Sequence, residues 1–332
     1  MINPKLNAYV CIISHKRPHN VPLMQGHCGE YVTWYVHAGE GGDYHAAGAN
    51  NIIDCFGLMS ENRNTAMEDA FSLGVPCIML DDDLNYIKGV NWGEDGKPYR
   101  ITMTFEDVCE YMLRKMNETD YKFAGIPPTS NLQNFKIDSV YSYQTFIISN
   151  WLIIKPSAPR FDKRLLIKAD YDFSLQHIKQ YGGLIRFNDI IPDFDHFKQK
   201  GGCVSEQRVR MEQGDIILLK KMWGTDVIKD SKRKDNHITI RPKKMLQYGI
   251  ERNDCPEVTR EDIEVMLNDV ETSLADEMNN NESACVDNLS RGVQPTSGIE
   301  NKAIITNECV VKEQKTVHKK IIIEIDISVK VE

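Results

Sequence analysis

The chain lacks any apolar run that approaches the length of a membrane span. A helix that crosses the bilayer needs about 20 predominantly apolar residues, and the 332-residue sequence contains no such run. The apolar part of the N-terminal stretch MINPKLNAYVCIIS is also too short for a secretory signal. We therefore expect a cytoplasmic protein that has no membrane partner.

Cysteines with redox or metal-binding spacing are missing as well. The nine cysteines are odd in number and stand singly, without a C-x-x-C pair or a histidine at zinc spacing. This pattern excludes a disulfide framework and a structural zinc module. We expect reduced thiols that are mostly buried in strands.

A glycine-rich phosphate loop is absent from the N-terminal region. Nucleotidyltransferases that activate sugars open on such a loop followed by a basic residue, and no glycine lies between Tyr9 and Val21. This absence disfavours a nucleotidyltransferase, although enzymes of that class use a related sheet and also need a metal.

Positive charge is scarce overall but locally concentrated. The net charge of -8 argues against a nucleic-acid partner, because binding phosphates requires a positive surface. Between Lys198 and Lys244, however, basic residues exceed acidic ones by about seven, an excess that can hold a polyanion. From Leu246 onward acidic residues outnumber basic ones about two to one. The sequence thus predicts a basic segment followed by an acidic extension.

Short β-rich runs alternate with helical patterns along most of the chain. Such alternation predicts an α/β fold with a mixed, mostly parallel, Rossmann-like sheet flanked by helices. Ser60 is the predicted N-cap of one helix, and Gly74 its stop. Strands are predicted at 9–14, 31–36, 51–55, 77–80, 122–126, 142–149, 151–155 and 184–188, and helices at 61–73, 105–116, 170–181 and 206–223.

Two units are expected from this pattern. Residues 1–255 are expected to form the core domain, and residues 256–332 a small appendage with a helix, a polar linker at 279–300 and a terminal strand. The terminal strand needs a sheet edge or a partner chain. Strand pairing between two copies would give a homodimer.

Three consecutive acids, Asp81, Asp82 and Asp83, follow the apolar strand CIML. Side chains alternate along a strand, so Asp81 and Asp83 are expected on one face and Asp82 on the other. Carboxylate oxygens suit Mn²⁺ or Mg²⁺, which complete their coordination with substrate phosphates. The alternative is a solvated acidic turn. Position favours a ligand site, because open α/β sheets bind ligands at the carboxyl ends of their strands.

A second strand end carries cations. The strand YVCIIS runs into His15, Lys16 and Arg17, and the carboxyl ends of parallel strands meet at one edge of the sheet. These residues can contact a phosphate or a base there, or they form only a basic surface turn.

With these pieces in place, the sequence resembles a known family. The order strand-SHKRP, SENRNTAMEDA and CIMLDDD is similar to the nucleotide-binding half of GT-A fold glycosyltransferases. Over residues 8–245 the chain looks like the TET-associated glycosyltransferases of phages. The resemblance implies transfer of a sugar, arabinose favoured and glucose possible, from a UDP-sugar to 5-hydroxymethylcytosine in DNA, in the host cytoplasm and with a divalent metal.

The resemblance also implies roles for individual residues. Asp81 would touch the ribose, Asp83 the metal, and His196 would complete the metal shell, while Asp82 supports the turn. The implied donor site comprises Ser14, His15, Arg17, Arg63, Asn64, Asp81 and Asp82, and the implied metal ligands are Asp83, Asp81 and His196.

The segment FDKRLLIKADYDFSLQHIKQYGG resembles the acceptor region of this family, where an acidic pair opens a helix. Asp170 and Asp172 occupy those positions, whereas Ala169 stands where many relatives carry an acid. Sugar transfer needs one carboxylate to take the proton of the attacking hydroxyl. Asp170 is the first choice and Asp172 the alternative, while helix capping is the non-catalytic interpretation.

Two further functions remain open from the sequence. The same chemistry can serve a protein, glycan or small-molecule acceptor, with the basic segment as solvated surface. A non-catalytic DNA-binding protein would use the acids only for solubility. Trp151 and Trp223 could stack on a base, but core packing is the favoured interpretation for both.

Overall fold

The computed structural model describes residues 1–128, 137–195, 208–231, 237–265 and 267. His196, the linker at 279–300 and the terminal strand with its proposed homodimer contact lie outside the described residues. The strands are β1 (Ile2–Asn3), β2 (Ala8–Ser14), β3 (Val32–His37), β4 (Asn51–Cys55), β5 (Cys77–Asp81), β6 (Leu84–Tyr86), β7 (Lys88–Trp92), β8 (Pro98–Thr102), β9 (Phe123–Gly125), β10 (Tyr141–Ser142), β11 (Trp151–Ile154), β12 (Ile185–Phe187), β13 (Asp193–Phe194), β14 (Ile228–Asp230) and β15 (Ile238–Ile240). The helices are α1 (Val21–Cys28), α2 (Gly41–Ala46), α3 (Met59–Ser72), α4 (Phe105–Asn117), α5 (Ala169–Tyr181), α6 (Arg208–Trp223) and α7 (Pro242–Gln247).

A nine-stranded central sheet organises the fold, in the order β10-β12-β9-β11-β5-β2-β3-β4, with β1 added beside β2. Strands β2, β3, β4 and β5 pair in parallel, as do β9 and β12. Strands β1, β10 and β11 run the opposite way. The prediction of an α/β fold with a mixed, mostly parallel sheet flanked by helices is confirmed.

The connectivity reverses between β2 and β5. From β2 the chain steps outward to β3 and β4, and it then returns to place β5 on the other side of β2. The two strands are parallel and in register, with Ile13 opposite Asp81. Their carboxyl ends therefore flank one crevice, which is where doubly wound sheets bind ligands.

Hydrophobic side chains cover both faces of the sheet. Along β2, Tyr9, Cys11 and Ile13 belong to one core cluster, and Val10 and Ile12 to the other. Burial on both faces explains why the parallel strands are continuous apolar runs. Within the described residues the cysteines are buried free thiols, but only Cys11, Cys55 and Cys77 of the six lie in strands, so the expected strand location holds for half of them.

Two details of the predicted secondary structure are wrong. Helix α3 begins at Met59, and Ser60 does not cap it because its hydroxyl donates to the Leu165 carbonyl at 3.1 Å. The predicted strand at 142–149 keeps only its first residue in β10. The rest of that segment makes single bonds instead of a strand ladder: the Ile147 N–H donates to Ser174 Oγ of α5 at 3.3 Å, and Arg186 Nη1 of β12 donates to the Phe146 carbonyl at 3.1 Å.

The core continues past the predicted domain boundary at residue 255. Val258, Ile263 and Leu267 are buried in the same cluster as α6, and a Cβ on Gly214 of α6 would stand 2.8 Å from Ile263. The boundary itself stays a prediction. In the part of the chain that the structure covers, the search for a helix long and apolar enough to cross a membrane finds none.

We predict that Gly125→Ala destabilises the protein. A Cβ at this position in β9 would lie 2.3 Å from Ile147 Cγ2 and 3.0 Å from the Trp151 carbonyl oxygen. Overpacking of this kind costs about 1–3 kcal/mol, measurable as a lower free energy of unfolding in urea. Gly26→Ala in α1 is the control, because a Cβ there meets nothing within 4 Å; equal stability of the two variants would contradict the prediction.

Candidate functional site

The acidic run is tied to the end of β2 by a buried arginine. Arg17 Nη1 donates to Asp82 Oδ1 at 2.9 Å and to Asp83 Oδ2 at 3.3 Å, and Ser14 Oγ donates to Asp82 Oδ2. Arg17, Asp82 and Asp83 are only 6%, 3% and 2% exposed. A solvated acidic turn does not fit this burial.

The structure divides the three acids differently from the expected alternation. Arg17 holds Asp82 and Asp83, whereas Asp81 accepts a bond from Arg63. The reason is that β5 ends at Asp81, so strand alternation does not continue past it. Asp81 is also the most exposed of the three, with 29% of its side chain accessible.

The loop after β2 is fixed by residues of the α2 region that the sequence interpretation missed. The Tyr44 hydroxyl lies 2.5 Å from Ser14 Oγ and accepts the Arg17 N–H at 3.1 Å. Glu40 Oε1 lies 2.8 Å from Nδ1 of the partly exposed His15. Neither Tyr44 nor Glu40 belongs to a motif, so only the contact of α2 with this loop reveals them.

Arg63 joins α3 to the same crevice. Its Nη1 donates to Ser149 Oγ at 2.8 Å, and its Nη2 donates to Asp81 Oδ1 and to the Ser149 carbonyl, both at 3.2 Å. The guanidinium is 5.4 Å from the centre of the Phe161 ring. The structure therefore brings Arg63 together with the acidic run.

Asn64 points to a different partner. Its amide donates to the Phe161 carbonyl at 2.8 Å and accepts the Phe161 N–H at 2.9 Å. Both polar groups of the side chain are thus used to fix the loop after β11. Asn64 could contact a base or a phosphate only by giving up these two bonds to Phe161.

Negative charge accumulates around Asp83. Burial, followed by the neighbouring Asp81 and Asp82, raises the pKa of Asp83 to about 7, and Asp195 adds to the effect. The Asp195 N–H donates to the Asp83 carbonyl at 2.9 Å, because β13 pairs with β6 just after the acidic run. Sequence reasoning missed Asp195, although it directly precedes His196.

The donor atoms at this edge suit a hard cation. Mg²⁺ and Mn²⁺ prefer carboxylate oxygens and are held by one or two protein carboxylates together with substrate phosphates. Asp81 and Asp83, with Asp195 beside them, supply such oxygens in excess of the nearby positive charge. Among the residues the structure covers, no group of three or more acids, histidines or cysteines is placed so that it could hold a metal ion.

The two candidate bases have opposite environments. Asp172 is fully buried, and its carboxylate accepts bonds from Trp223 Nε1 at 2.8 Å, Gln176 Nε2 at 2.7 Å and Arg252 Nε at 2.9 Å. Asp170 is 9% exposed, and its Oδ1 has no hydrogen-bond partner in the described part of the chain. The carboxylate of Asp172 is therefore occupied by bonds to neighbouring side chains, whereas Asp170 Oδ1 makes no hydrogen bond there and can accept a proton.

Burial also tunes the proton affinity of Asp170. Desolvation raises the pKa of Asp170 to about 7, against the opposing charges of Arg63 and Lys168. A carboxylate with a pKa near neutrality is well matched to general-base work at physiological pH. The geometry thus favours Asp170 over Asp172 for that role.

Both tryptophans lie in the core, as favoured from the sequence. Trp151 is fully buried and stacks on Phe105 with ring centres 5.5 Å apart, and Trp223 is 1% exposed. The basic segment is partly neutralised: Lys220 pairs with Asp230 at 2.8 Å and Arg210 with Glu264 at 3.0 Å. Asp230 already counts among the acids of the segment, so only the pair of Arg210 with Glu264, an acid outside the segment, lowers its net positive charge below the sequence count.

We predict that Asp170→Asn changes the pH dependence of stability. The unfolded chain releases the Asp170 proton near the ordinary pKa of about 3.9, whereas the native state keeps it to about pH 7. Stability present at low pH is therefore lost as the pH rises through this window. The variant should match the wild type near pH 4 and exceed it by about 4 kcal/mol near pH 8, in thermal or urea unfolding.

Asp172→Asn is the matched variant for this measurement. It weakens the bonds to Arg252 and Trp223, and breaking a buried charge pair costs about 3–5 kcal/mol. It should be less stable than the wild type near pH 8. If both substitutions stabilise the protein near pH 8, or if neither does, the environments assigned to Asp170 and Asp172 are wrong.

The chain was also compared with known proteins. No model of a known protein family matches it, and no curated protein is similar to it in sequence.

Proposed function

We propose that the chain is a glycosyltransferase that takes its sugar from a nucleoside diphosphate sugar, with UDP-sugar as the expected donor. The observation that carries the proposal is the convergence of three segments on one crevice: the end of β2 with Arg17, the start of α3 with Arg63, and the acidic run after β5. These are the three motifs on which the resemblance to GT-A enzymes rests. They meet where the strand order reverses, the position at which such sheets bind nucleotides.

The donor would lie along the carboxyl ends of β2 and β5. His15 is partly exposed at this edge, and Asp81 is the accessible member of the acidic run. A divalent Mn²⁺ or Mg²⁺ would be held by Asp81 and Asp83, with His196 as the further ligand that the resemblance implies. Such an ion would supply Lewis-acid stabilisation of the diphosphate leaving group.

Asp170 would act on the acceptor. The acceptor oxygen forms a bond to the anomeric carbon while the bond from that carbon to the diphosphate breaks, and Asp170 takes the proton of the acceptor hydroxyl. The unpartnered Oδ1 and the pKa near 7 support this assignment. Arg63 links the donor and acceptor sides. It forms an ion pair with Asp81, and its charge opposes the rise in the pKa of Asp170.

For the acceptor, we propose 5-hydroxymethylcytosine in DNA, with arabinose as the favoured sugar. The resemblance to the phage enzymes supports this choice, and the described part of the basic segment lies mainly on α6 and α7. A base inside a duplex is inaccessible to a buried carboxylate, so the target nucleotide must leave the stack.

A protein, glycan or small-molecule acceptor is the second candidate. The observation in its favour is the pairing of basic residues with acids: Lys220 with Asp230, Arg210 with Glu264, and Lys244 with Asp226 at 3.5 Å. Glu264 lies outside the basic segment, so its pair with Arg210 reduces the excess of positive charge available to a phosphate backbone.

We predict that Asp81→Asn with Asp83→Asn weakens binding of UDP in the presence of Mn²⁺ by at least about 100-fold, because both oxygen ligands lose their charge. Isothermal titration calorimetry with UDP checks this. Asp95→Asn is the control, since Asp95 is an exposed acid of the β7–β8 loop paired only locally with Lys97 at 3.2 Å. Unchanged UDP affinity in the double variant would overturn the donor site.

We predict sugar transfer to DNA that contains 5-hydroxymethylcytosine. The protein is incubated with Mn²⁺, a panel of nucleotide-sugars and this DNA, and the nucleosides are read by mass spectrometry for a pentose or hexose increment. Unmodified cytosine DNA is the matched acceptor control. Labelling of another acceptor with no product on DNA would favour the second candidate. Tight DNA binding without any nucleotide-sugar affinity would instead indicate a non-catalytic binding protein.

A further inference from the structure

A fully buried carboxylate in α6 holds the backbone just ahead of Asp170. Asp215 is 0% exposed. Its Oδ1 accepts the Leu166 N–H at 3.1 Å, and its Oδ2 accepts the N–H groups of Ile167 at 2.6 Å and Lys168 at 2.8 Å. Three consecutive backbone donors therefore converge on one charged group, and such charge-assisted bonds are roughly twice as strong as neutral ones.

This clamped segment, residues 166–168, leads directly into α5. Only Ala169 separates it from Asp170, which lies in the first turn of the helix, and the helix has no side-chain cap at Lys168. At the other end of the segment, the Leu165 carbonyl accepts the Ser60 hydroxyl at 3.1 Å. The start of α5 is thus set by bonds to α6 on one side and to α3 on the other.

Packing alone does not require this arrangement. Burial raises the pKa of Asp215, and the three backbone bonds followed by Arg260 oppose the rise. An ionised carboxylate removed from water is costly unless it is fully bonded, and an apolar side chain could fill the same space. Asp172 is equally buried but bonds to the side chains of Trp223, Gln176 and Arg252, none of which lies in the clamped segment.

We propose that Asp215 is a positioning residue: through the backbone of residues 166–168 it sets where the Asp170 carboxylate stands relative to the acceptor hydroxyl. The inference rests on the proposed function, in which Asp170 takes the proton. Asp170 Oδ1 has no partner among the described residues, and the carboxyl is bonded to the backbone of Asp170 and Tyr171, so its placement follows the backbone. Catalytic groups must be held within about 0.5 Å of their productive position, and a displacement of about 1 Å can cost roughly 100-fold in rate.

The test is Asp215→Asn, which keeps the size of the side chain but removes its charge and one acceptor oxygen. Hydrogen exchange should accelerate by at least about 10-fold at Leu166, Ile167 and Lys168. The kcat for sugar transfer should fall by about 30- to 100-fold per folded molecule, with KM changed by less than about 3-fold.

Asp69→Asn is the matched control. It removes the charge of a half-buried carboxylate that accepts the Tyr35 hydroxyl at 2.5 Å, and it does not touch the clamped segment. Its kcat and its exchange rates at 166–168 should stay at wild-type values. Faster exchange in the Asp215 variant with an unchanged kcat would reduce Asp215 to a structural role and overturn the proposal.

A second variant tests the proposal if Asp215→Asn does not fold. Arg260 Nη1 lies 3.4 Å from Asp215 Oδ1 and also donates to the Arg164 carbonyl at 3.1 Å. Arg260→Gln leaves the three backbone bonds but removes the countercharge, so kcat should fall by about 3- to 10-fold at constant KM. No change in either kcat or exchange would contradict the clamp.

The clamp and the proposed function can fail separately. If the wild-type protein transfers no sugar to any acceptor, the Asp170 carboxyl is titrated by carbon NMR in the wild type and the variants. A midpoint that moves by at least about 0.5 pH units in Asp215→Asn, as Asp170 shifts relative to Arg63 and Lys168, supports the positioning role. An unmoved midpoint overturns it.

Discussion

The buried contact of Arg17 with Asp82 and Asp83 is the interaction on which the crevice depends. Removing these charges from water costs several kcal/mol per ion, and the cost is offset only while Ser14 and Arg17 keep their bonds to the acids. The ends of β2 and β5 are therefore held at a fixed separation. Breaking the pair would leave an uncompensated charge at the reversal of the strand order.

Two further arginines form ion pairs of the same kind between this contact and the proposed acceptor side. Arg63 connects α3 to Asp81 and to Ser149 in the loop before β11. Arg252 connects Asp172 of α5 to Asp162, at 2.8 Å from the latter. Each arginine bridges segments distant in the chain, so the proposed donor side and the Asp170 side are placed by a network of charges on a rigid sheet.

Much of the fold follows from local pattern. Continuous apolar runs such as YVCIIS and CIML predicted strands buried on both faces, and the helix at 105–116 was expected within one residue of its observed end at Asn117. The prediction failed at 142–149, because after Ser142 the segment makes single bonds to α5 and to a β12 side chain instead of a strand ladder. Ser60 failed as a cap for a similar reason: its hydroxyl found a partner 105 residues away.

By itself, the sequence determined that acids and cations stand at strand ends, and that an acidic pair opens a helix. Only the tertiary structure decided which of these residues pair. Arg17 binds Asp82 and Asp83, and Arg63 binds Asp81. Asp172 bonds to neighbouring side chains, whereas Asp170 Oδ1 has no partner among the described residues. Identical carboxylates acquire different properties through burial and neighbouring charge. Those depend on contacts between distant segments, which spacing along the chain does not encode.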